Sequence, residues 1–145
     1  LRRISSQPKT DAADLFRRMV FNALISNIDD HPRNHAVVAM DTHWKLSPAY
    51  DLTPSTPIST DHRDLALECG DMGRFANAEN LLTQCEHFYL APDDARIVID
   101  QIETIVRDNW YVVARREEVT DKDCDKITTA FAYPGFRLGA AARAI

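Results

Sequence analysis

The sequence predicts a mainly α-helical domain that carries one small β-hairpin, and three observations predict it. Apolar residues recur at helical spacing through residues 10–26 and again beyond residue 92. A short β-branched run at 36–40 is followed by a turn and a second short apolar segment at 44–46. The chain contains no internal repeat. Its 145 residues are one ordinary domain's worth, and 45% hydrophobic with 27% charged residues is a globular composition.

Taken in order, Thr10 is the expected N-cap of a first helix over 10–26, with Asp11 and Asp14 in its first turn, where the helix dipole favours acids. Leu15, Phe16, Met19, Val20, Ala23 and Leu24 form its apolar stripe, with Arg17 and Arg18 on the other side. Asn27, Asp29, Asp30 and Pro32 end the helix in a polar loop over 27–34. A hairpin is expected within 35–52, turning at Asp41-Thr42-His43. The Pro/Ser/Thr-rich stretch 53–60 reads as an exposed loop, extending to 63, with a short strand at 64–67. The remainder is helical. One helix caps at Asn77 and runs to Phe88; a longer one opens at Pro92, a favoured first-turn residue. Ile97, Ile102, Ile105, Val106, Asn109, Trp110 and Val113 are the expected stripe of the second. A third is capped by Thr120 with Asp123 and closes at Tyr133-Pro134-Gly135.

The net charge of −5 argues against a general nucleic-acid-binding face, which needs concentrated positive charge. Cys69, Cys85 and Cys124 form an odd set with no CxxC pair, so neither a disulfide framework nor a zinc knuckle is expected. Reduced, partly buried thiols in a cytoplasmic protein are the expectation. No stretch has the length of a membrane span, and no signal-peptide pattern opens the chain. Leu1-Arg2-Arg3-Ile4 reads like mid-protein sequence, so a fragment or processed subunit is expected.

The chemistry-bearing residues lie in two segments. Asn27-Ile28-Asp29-Asp30-His31-Pro32-Arg33-Asn34 leaves the first helix, and Pro48-Ala49-Tyr50-Asp51-Leu52 leaves the hairpin. Phosphoryl transfer needs a carboxylate for the attacking hydroxyl and a few oxygen ligands for Mg²⁺. Asp29 and Asn34 have the five-residue spacing of the proton-accepting Asp and metal-binding Asn of a kinase catalytic loop. Asp51 lies at the end of the returning strand. An antiparallel hairpin brings its two ends together, so Asn34 and Asp51 are expected to be neighbours. The five-residue spacing alone is a weak signal, because turns are rich in Asp and Asn. Asp51 at the far end of a hairpin strengthens it.

The full run of words is more specific. Phe21-Asn22-Ala23-Leu24-Ile25-Ser26-Asn27, Asp29-Asp30-His31-Pro32-Arg33-Asn34 and Trp44-Lys45-Leu46-Ser47-Pro48-Ala49-Tyr50-Asp51-Leu52 together resemble the C-terminal lobe of HipA-like toxin kinases. A looser likeness continues through Leu65-Ala66-Leu67, Asn80-Leu81-Leu82 and the helix around Trp110. The resemblance implies a protein-kinase-like C-terminal lobe over 1–135, α+β in the full protein, followed by a tail at 136–145. It implies Asp29 as catalytic base, with Asn34 and Asp51 as Mg²⁺ ligands. It further implies ATP-dependent phosphorylation of serine or threonine on a protein target such as an aminoacyl-tRNA synthetase. The partner it implies is a small DNA-binding, HipB-like antitoxin.

Departures accompany the likeness. Arg33 stands where the family often carries lysine, and Ile28 precedes the proposed base where many eukaryotic kinases have arginine. Asp51 is followed by Leu-Thr, as in the HipA pattern, and not by Phe-Gly. No glycine-rich phosphate loop or strand lysine precedes the catalytic loop; all four glycines come after Asp51, Gly70 and Gly73 reading as turns. The expectation is therefore a chain that lacks its ATP-gripping lobe and has little activity alone, because positioning of ATP supplies nearly all the catalysis.

Blander readings stand beside these. Asp29 can be an Asx-turn residue, and Asp30 reads better as solvated than as orienting the loop. His31 is expected to hydrogen-bond backbone and hold the loop. His31 and His35 could form a zinc pair only if the segment were helical, and Pro32 breaks it. Trp44 and Trp110 read as core or hairpin-packing aromatics. The hydroxyls of 53–60 could accept phosphate or meet a target, although flexible loops are often rich in them. The alternative to a kinase lobe is a non-catalytic, kinase-derived module that binds an antitoxin or target.

Overall fold

A computed structural model describes residues 1–56 and 59–138. The tail expected at 136–145 lies outside the described residues from 139 onward. What is described is helical with one two-stranded antiparallel hairpin, as the periodicities predict.

The first helix, α1 (Pro8–Leu24), begins earlier than expected. Pro8 takes the first-turn position for which its fixed φ suits it, and Gln7, not Thr10, is the N-cap residue. Asp11 is only 4% exposed and does more than complement the dipole. Its carboxylate accepts from Ser5 Oγ at 2.7 Å, Gln7 Nε2 at 3.0 Å and the Leu46 N–H at 2.8 Å. Ala12, Phe16, Val20, Ala23 and Leu24 are the buried face. Arg18 is not on the solvent face: its guanidinium bonds Asp14 at 2.7 Å and the Ser47 carbonyl at 2.5 Å.

Strands β1 (Val37–Met40) and β2 (His43–Leu46) pair in the register Val37↔Leu46 to Met40↔His43, across a two-residue turn in which Asp41 takes φ +54°. Asp11 and Arg18 therefore clamp the end of β2 and the chain just after it onto α1. Trp44 stands 47% exposed, a correction to its expected packing role; its carbonyl accepts the Ser6 N–H at 2.9 Å.

No strand forms at 64–67. Asp64 makes an isolated bridge with Phe75, because the chain reverses at once around Gly70 and Gly73. Asn77 caps α2 (Ala78–Thr83) by accepting from the Asn80 N–H at 3.0 Å. The helix stops short of Phe88, and a 3₁₀ turn, Cys85–Phe88, continues the path. Helix α3 (Pro92–Arg116) starts at Pro92 as expected, but much of its anticipated stripe faces outward: Ile97, Ile105 and Val113 are exposed. Ala95, Val98, Ile99 and Val106 are buried, with Ile102 packed against the same core. They share one narrow helical face against α1, which residues 97 and 105 do not. Trp110 stacks on Phe131 at 4.7 Å. Thr120 accepts from the Asp123 N–H at 3.2 Å to open α4 (Asp121–Ile127), as the sequence indicates.

The core joins Phe16, Val20, Leu24, Leu81, Ile99 and Phe136. Full burial of each large apolar side chain is worth roughly 2 kcal/mol. All three cysteines are buried and free. Burial pushes the Cys69 thiol up to about 11, which makes it a poor nucleophile. Among the described residues, no helix is long and apolar enough to cross a membrane.

Candidate functional site

The end of α1 is built to launch a polar loop. Ile25 closes the last α-helical turn onto Phe21, and the Asn27 N–H reaches back to the Asn22 carbonyl at 2.9 Å. Between them Ser26 takes φ +57°, a conformation that costs a non-glycine residue about 1 kcal/mol. It is held there by buried partners. The Ser26 hydroxyl donates to the Ala130 carbonyl at 2.5 Å and accepts from Arg63 Nη1. Arg63 is 3% exposed, lies 4.0 Å over the Tyr133 ring, and donates also to the Thr129 carbonyl at 2.5 Å and the Ser59 carbonyl at 3.1 Å. Burial pushes its guanidinium pKa down, and the full set of acceptors compensates for the lost water. Sequence reasoning missed Arg63 because its acceptors at Ser26, Thr129 and Ala130 come from positions far away in the chain.

From this anchor the loop runs outward, then returns through a 3₁₀ turn, Pro32–Asn34. Asp29 is exposed, and its carboxylate has no partner among the described residues. Asn34 is buried, and its amide Nδ2 donates to the Asp29 carbonyl at 3.2 Å. That bond uses the Asn34 amide nitrogen and leaves its oxygen without a hydrogen bond among the described residues. Asp30 is not solvated as expected: it is 5% exposed and pairs with His35 Nε2 at 2.8 Å. The ring of His31 does not hold the loop through its Nδ1, which is buried without a partner; the His31 carbonyl does, accepting the Asn34 N–H at 2.9 Å.

The segment after β2 meets this loop. The Ser47 N–H bonds the Ala36 carbonyl at 2.9 Å, extending the hairpin ladder by one step. Tyr50 then donates its hydroxyl to the Arg33 carbonyl at 2.6 Å. Asn27, 2% exposed, uses its Nδ2 to bridge Asn22 Oδ1 at 3.2 Å and the Asp51 carbonyl at 3.1 Å. Asp51 takes φ +58°, and its carboxylate is exposed without a partner among the described residues. The hairpin thus delivers the segment of Asp51 to the loop of Asp29 and Asn34, as the topology predicts. Asn27 and Tyr50, which fasten the two segments, were visible in the sequence only as parts of longer words. Beneath, an apolar cavity of about 320 Å³ is lined by Phe21, Ile25, Leu52, Pro54, Trp110 and Phe131.

The donor set suits a hard cation. Two free carboxylates and one amide oxygen, all spared from internal hydrogen bonds, are oxygen ligands of the kind Mg²⁺ takes in small number beside water and phosphate. Among the described residues, no three His, Cys, Asp or Glu side chains are arranged to hold a metal.

Comparison with known proteins reaches these residues through a family model. The family model described as "HipA-like C-terminal domain" matches residues 1–110. A protein of Sinorhizobium fredii (strain NBRC 101917 / NGR234), named "Putative kinase Y4mE", is 38% identical over 52 residues. That stretch spans 36% of this chain and 12% of that protein.

Proposed function

This chain belongs to the family of HipA-like C-terminal domains, and from that premise we propose that it is the Mg²⁺-binding catalytic lobe of a serine/threonine protein kinase. The observation that carries the reading is the convergence of Asp29, Asn34 and the Asp51 segment with both carboxylates and the amide oxygen unspent. A binding module has no need for two segments that carry three such groups to be fastened to each other with those groups kept free.

In this reading Asp29 holds the attacking hydroxyl of the target and takes its proton. Asn34, through its amide oxygen, and Asp51, through its carboxylate, hold Mg²⁺, which when bound neutralises charge on the ATP phosphates. Asn27 and Tyr50 keep the two segments in register. The chain carries no glycine-rich phosphate loop ahead of Asp29. The nucleotide's grip therefore comes from another lobe, and this chain alone transfers phosphate poorly. The target is a protein hydroxyl, an aminoacyl-tRNA synthetase being the type the family resemblance suggests. A small DNA-binding, HipB-like antitoxin is the proposed partner, and the cytoplasm the proposed compartment.

The test is Mg²⁺-dependent transfer of labelled γ-phosphate from ATP, comparing this chain with the protein extended at its N-terminus. Transfer by the extended form, lost in Asp29→Asn, supports the kinase. No transfer by either form, with candidate synthetases present, moves the reading to a kinase-derived binding module.

A further inference from the structure

We infer that Asp30 and His35 form a buried positioning brace that fixes Asp29 and Asn34 in their working geometry. The inference rests on the kinase reading above and adds two residues to it.

Asp29 and Asn34 face a conflicting demand. Each has to be held in place, yet the atoms that do the work must stay unbonded until substrate and Mg²⁺ arrive. The Asp29 carboxylate has no partner among the described residues, so its own side chain does not fix it. The neighbouring residues supply the anchor. Asp30 follows Asp29 directly, and His35 follows Asn34 directly. Their side chains meet at 2.8 Å, closing the loop from one end to the other across the turn Pro32–Asn34. The Asp30 side chain is 7% exposed and that of His35 20%, so the pair is shielded from the water that makes surface ion pairs weak.

The surroundings explain why this contact decides the loop's shape. Asp30 and His35 line a cavity of about 160 Å³ whose other walls include Leu15, Leu65 and Phe88. Of the remaining walls, Glu68 is an acceptor and the Cys69 thiol already donates to the Gly73 and Phe75 carbonyls, so no lining side chain has a donor free to replace His35. The ring's other nitrogen, Nδ1, is buried with no partner, so Asp30 is the polar anchor of that ring among the described residues. Breaking the pair leaves a buried carboxylate unpaired, and the loop then moves to let it reach water. Asp29 and Asn34 move with it. Of the other ties, Asn34 Nδ2 to the Asp29 carbonyl and the Asn34 N–H to the His31 carbonyl lie within the moving segment, and the Tyr50 hydroxyl on the Arg33 carbonyl joins it to the exposed chain after β2 and not to the core.

Neither residue touches substrate or metal in this account, so both are positioning residues. The experiment uses the N-terminally extended protein with three variants: His35→Phe, which keeps a ring but not the bond, His35→Gln, whose Nε2 can still donate, and Asp30→Asn. The expected result is a fall in kcat of about 10–100-fold for His35→Phe, the usual cost of misplacing a catalytic group, with the KM for the protein target changed little. His35→Gln recovers most of the loss. In the same proteins, amide exchange in peptides covering 29–35 quickens for His35→Phe while peptides from α1 and α3 keep their rates. That second readout stands if a variant is less stable, since a merely structural defect loosens the helices as well. Unchanged kcat and unchanged loop exchange in His35→Phe, with an active unsubstituted protein, overturn the brace and leave the kinase reading intact. An inactive unsubstituted protein overturns the kinase reading itself, and with it the catalytic meaning of the brace.

Discussion

The Asn27 side-chain amide donates to the Asp51 carbonyl at 3.1 Å, and so ties the first residue after the α1 turn to the carboxylate-bearing residue beyond the hairpin. Asp51 sits in the left-handed region, where a non-glycine residue persists only if its surroundings hold it. Asn27 does that from a site 2% exposed. Replacing it with alanine leaves the Asp51 carbonyl and Asn22 Oδ1 without their donor. The expected destabilisation is about 1–3 kcal/mol in urea unfolding, together with weaker Mg²⁺-dependent nucleotide binding in the extended protein.

Asp29 and Asp51 are expected to fail differently. In the extended protein, Asp29→Asn lowers transfer by about 10²–10⁴-fold, the usual contribution of a positioned base, while Mg²⁺·ATP still binds. Asp51→Ala weakens Mg²⁺·ATP binding itself. Calorimetric titration beside a transfer assay separates the two, and equal activity of Asp29→Asn and the unsubstituted protein removes Asp29 from its role.

Asp11 predicts a pH dependence. Burial pushes its carboxyl up, but hydrogen bonds from Ser5, the Leu46 N–H and Gln7, with the charge of Lys45, outweigh burial and hold its pKa below the ordinary 3.8. The folded value lies below the unfolded one. The stabilisation is therefore fully present above the unfolded value and is lost as pH falls through the folded value. Asp11→Asn is expected to lower stability near neutrality by about 1–3 kcal/mol and to flatten the loss between pH 5 and the acid limit. Thermal melts of both proteins across that range read the difference directly.

Arg63 gives the largest expected structural effect. Arg63→Met keeps the bulk but strips donors from Ser26, Ser59, Thr129 and Ala130. A loss of about 3 kcal/mol or more is expected from charge-assisted hydrogen bonds lost together at the buried Ser26 and Ala130 oxygens and at the partly buried Ser59 and Thr129 carbonyls. Exchange measurements should show the 26–34 loop and the Thr128–Ala130 turn loosening together. Loosening of either one alone would contradict the arrangement.

Gly70 marks a close approach and not merely a turn. A Cβ there would run into the backbone carbonyl and side-chain oxygen of Asn80, which is itself fully buried. Asn80 accepts the Met72 N–H at 2.7 Å and donates to the Gly73 and Phe75 carbonyls at 3.0 and 2.9 Å. Gly70→Ala is expected to destabilise the fold by about 1–3 kcal/mol, the range for overpacking, whereas Asp71→Ala, exposed beside it, costs far less. Parallel denaturant titrations test the contrast.

Sequence by itself determined what is local. The period of Phe16, Val20 and Leu24 placed α1, Pro92 placed the start of α3, Asn77 and Thr120 placed two caps, and the β-branched run with its turn placed the hairpin. Each depends on forces acting within a few residues. The spacing of Asp29, Asn34 and Asp51 and the words around them were legible for the same reason, and so was the family. The tertiary structure decided what depends on which surfaces meet. It turned Ile97, Ile105 and Val113 outward because α1 covers only one narrow face of α3. It buried Asp30 against His35 and Asp11 against Leu46, where composition alone favours solvent. Whether a polar side chain faces water or a partner depends on donors that arrive from distant positions, as Arg63 does at Ser26, and no window of sequence contains them.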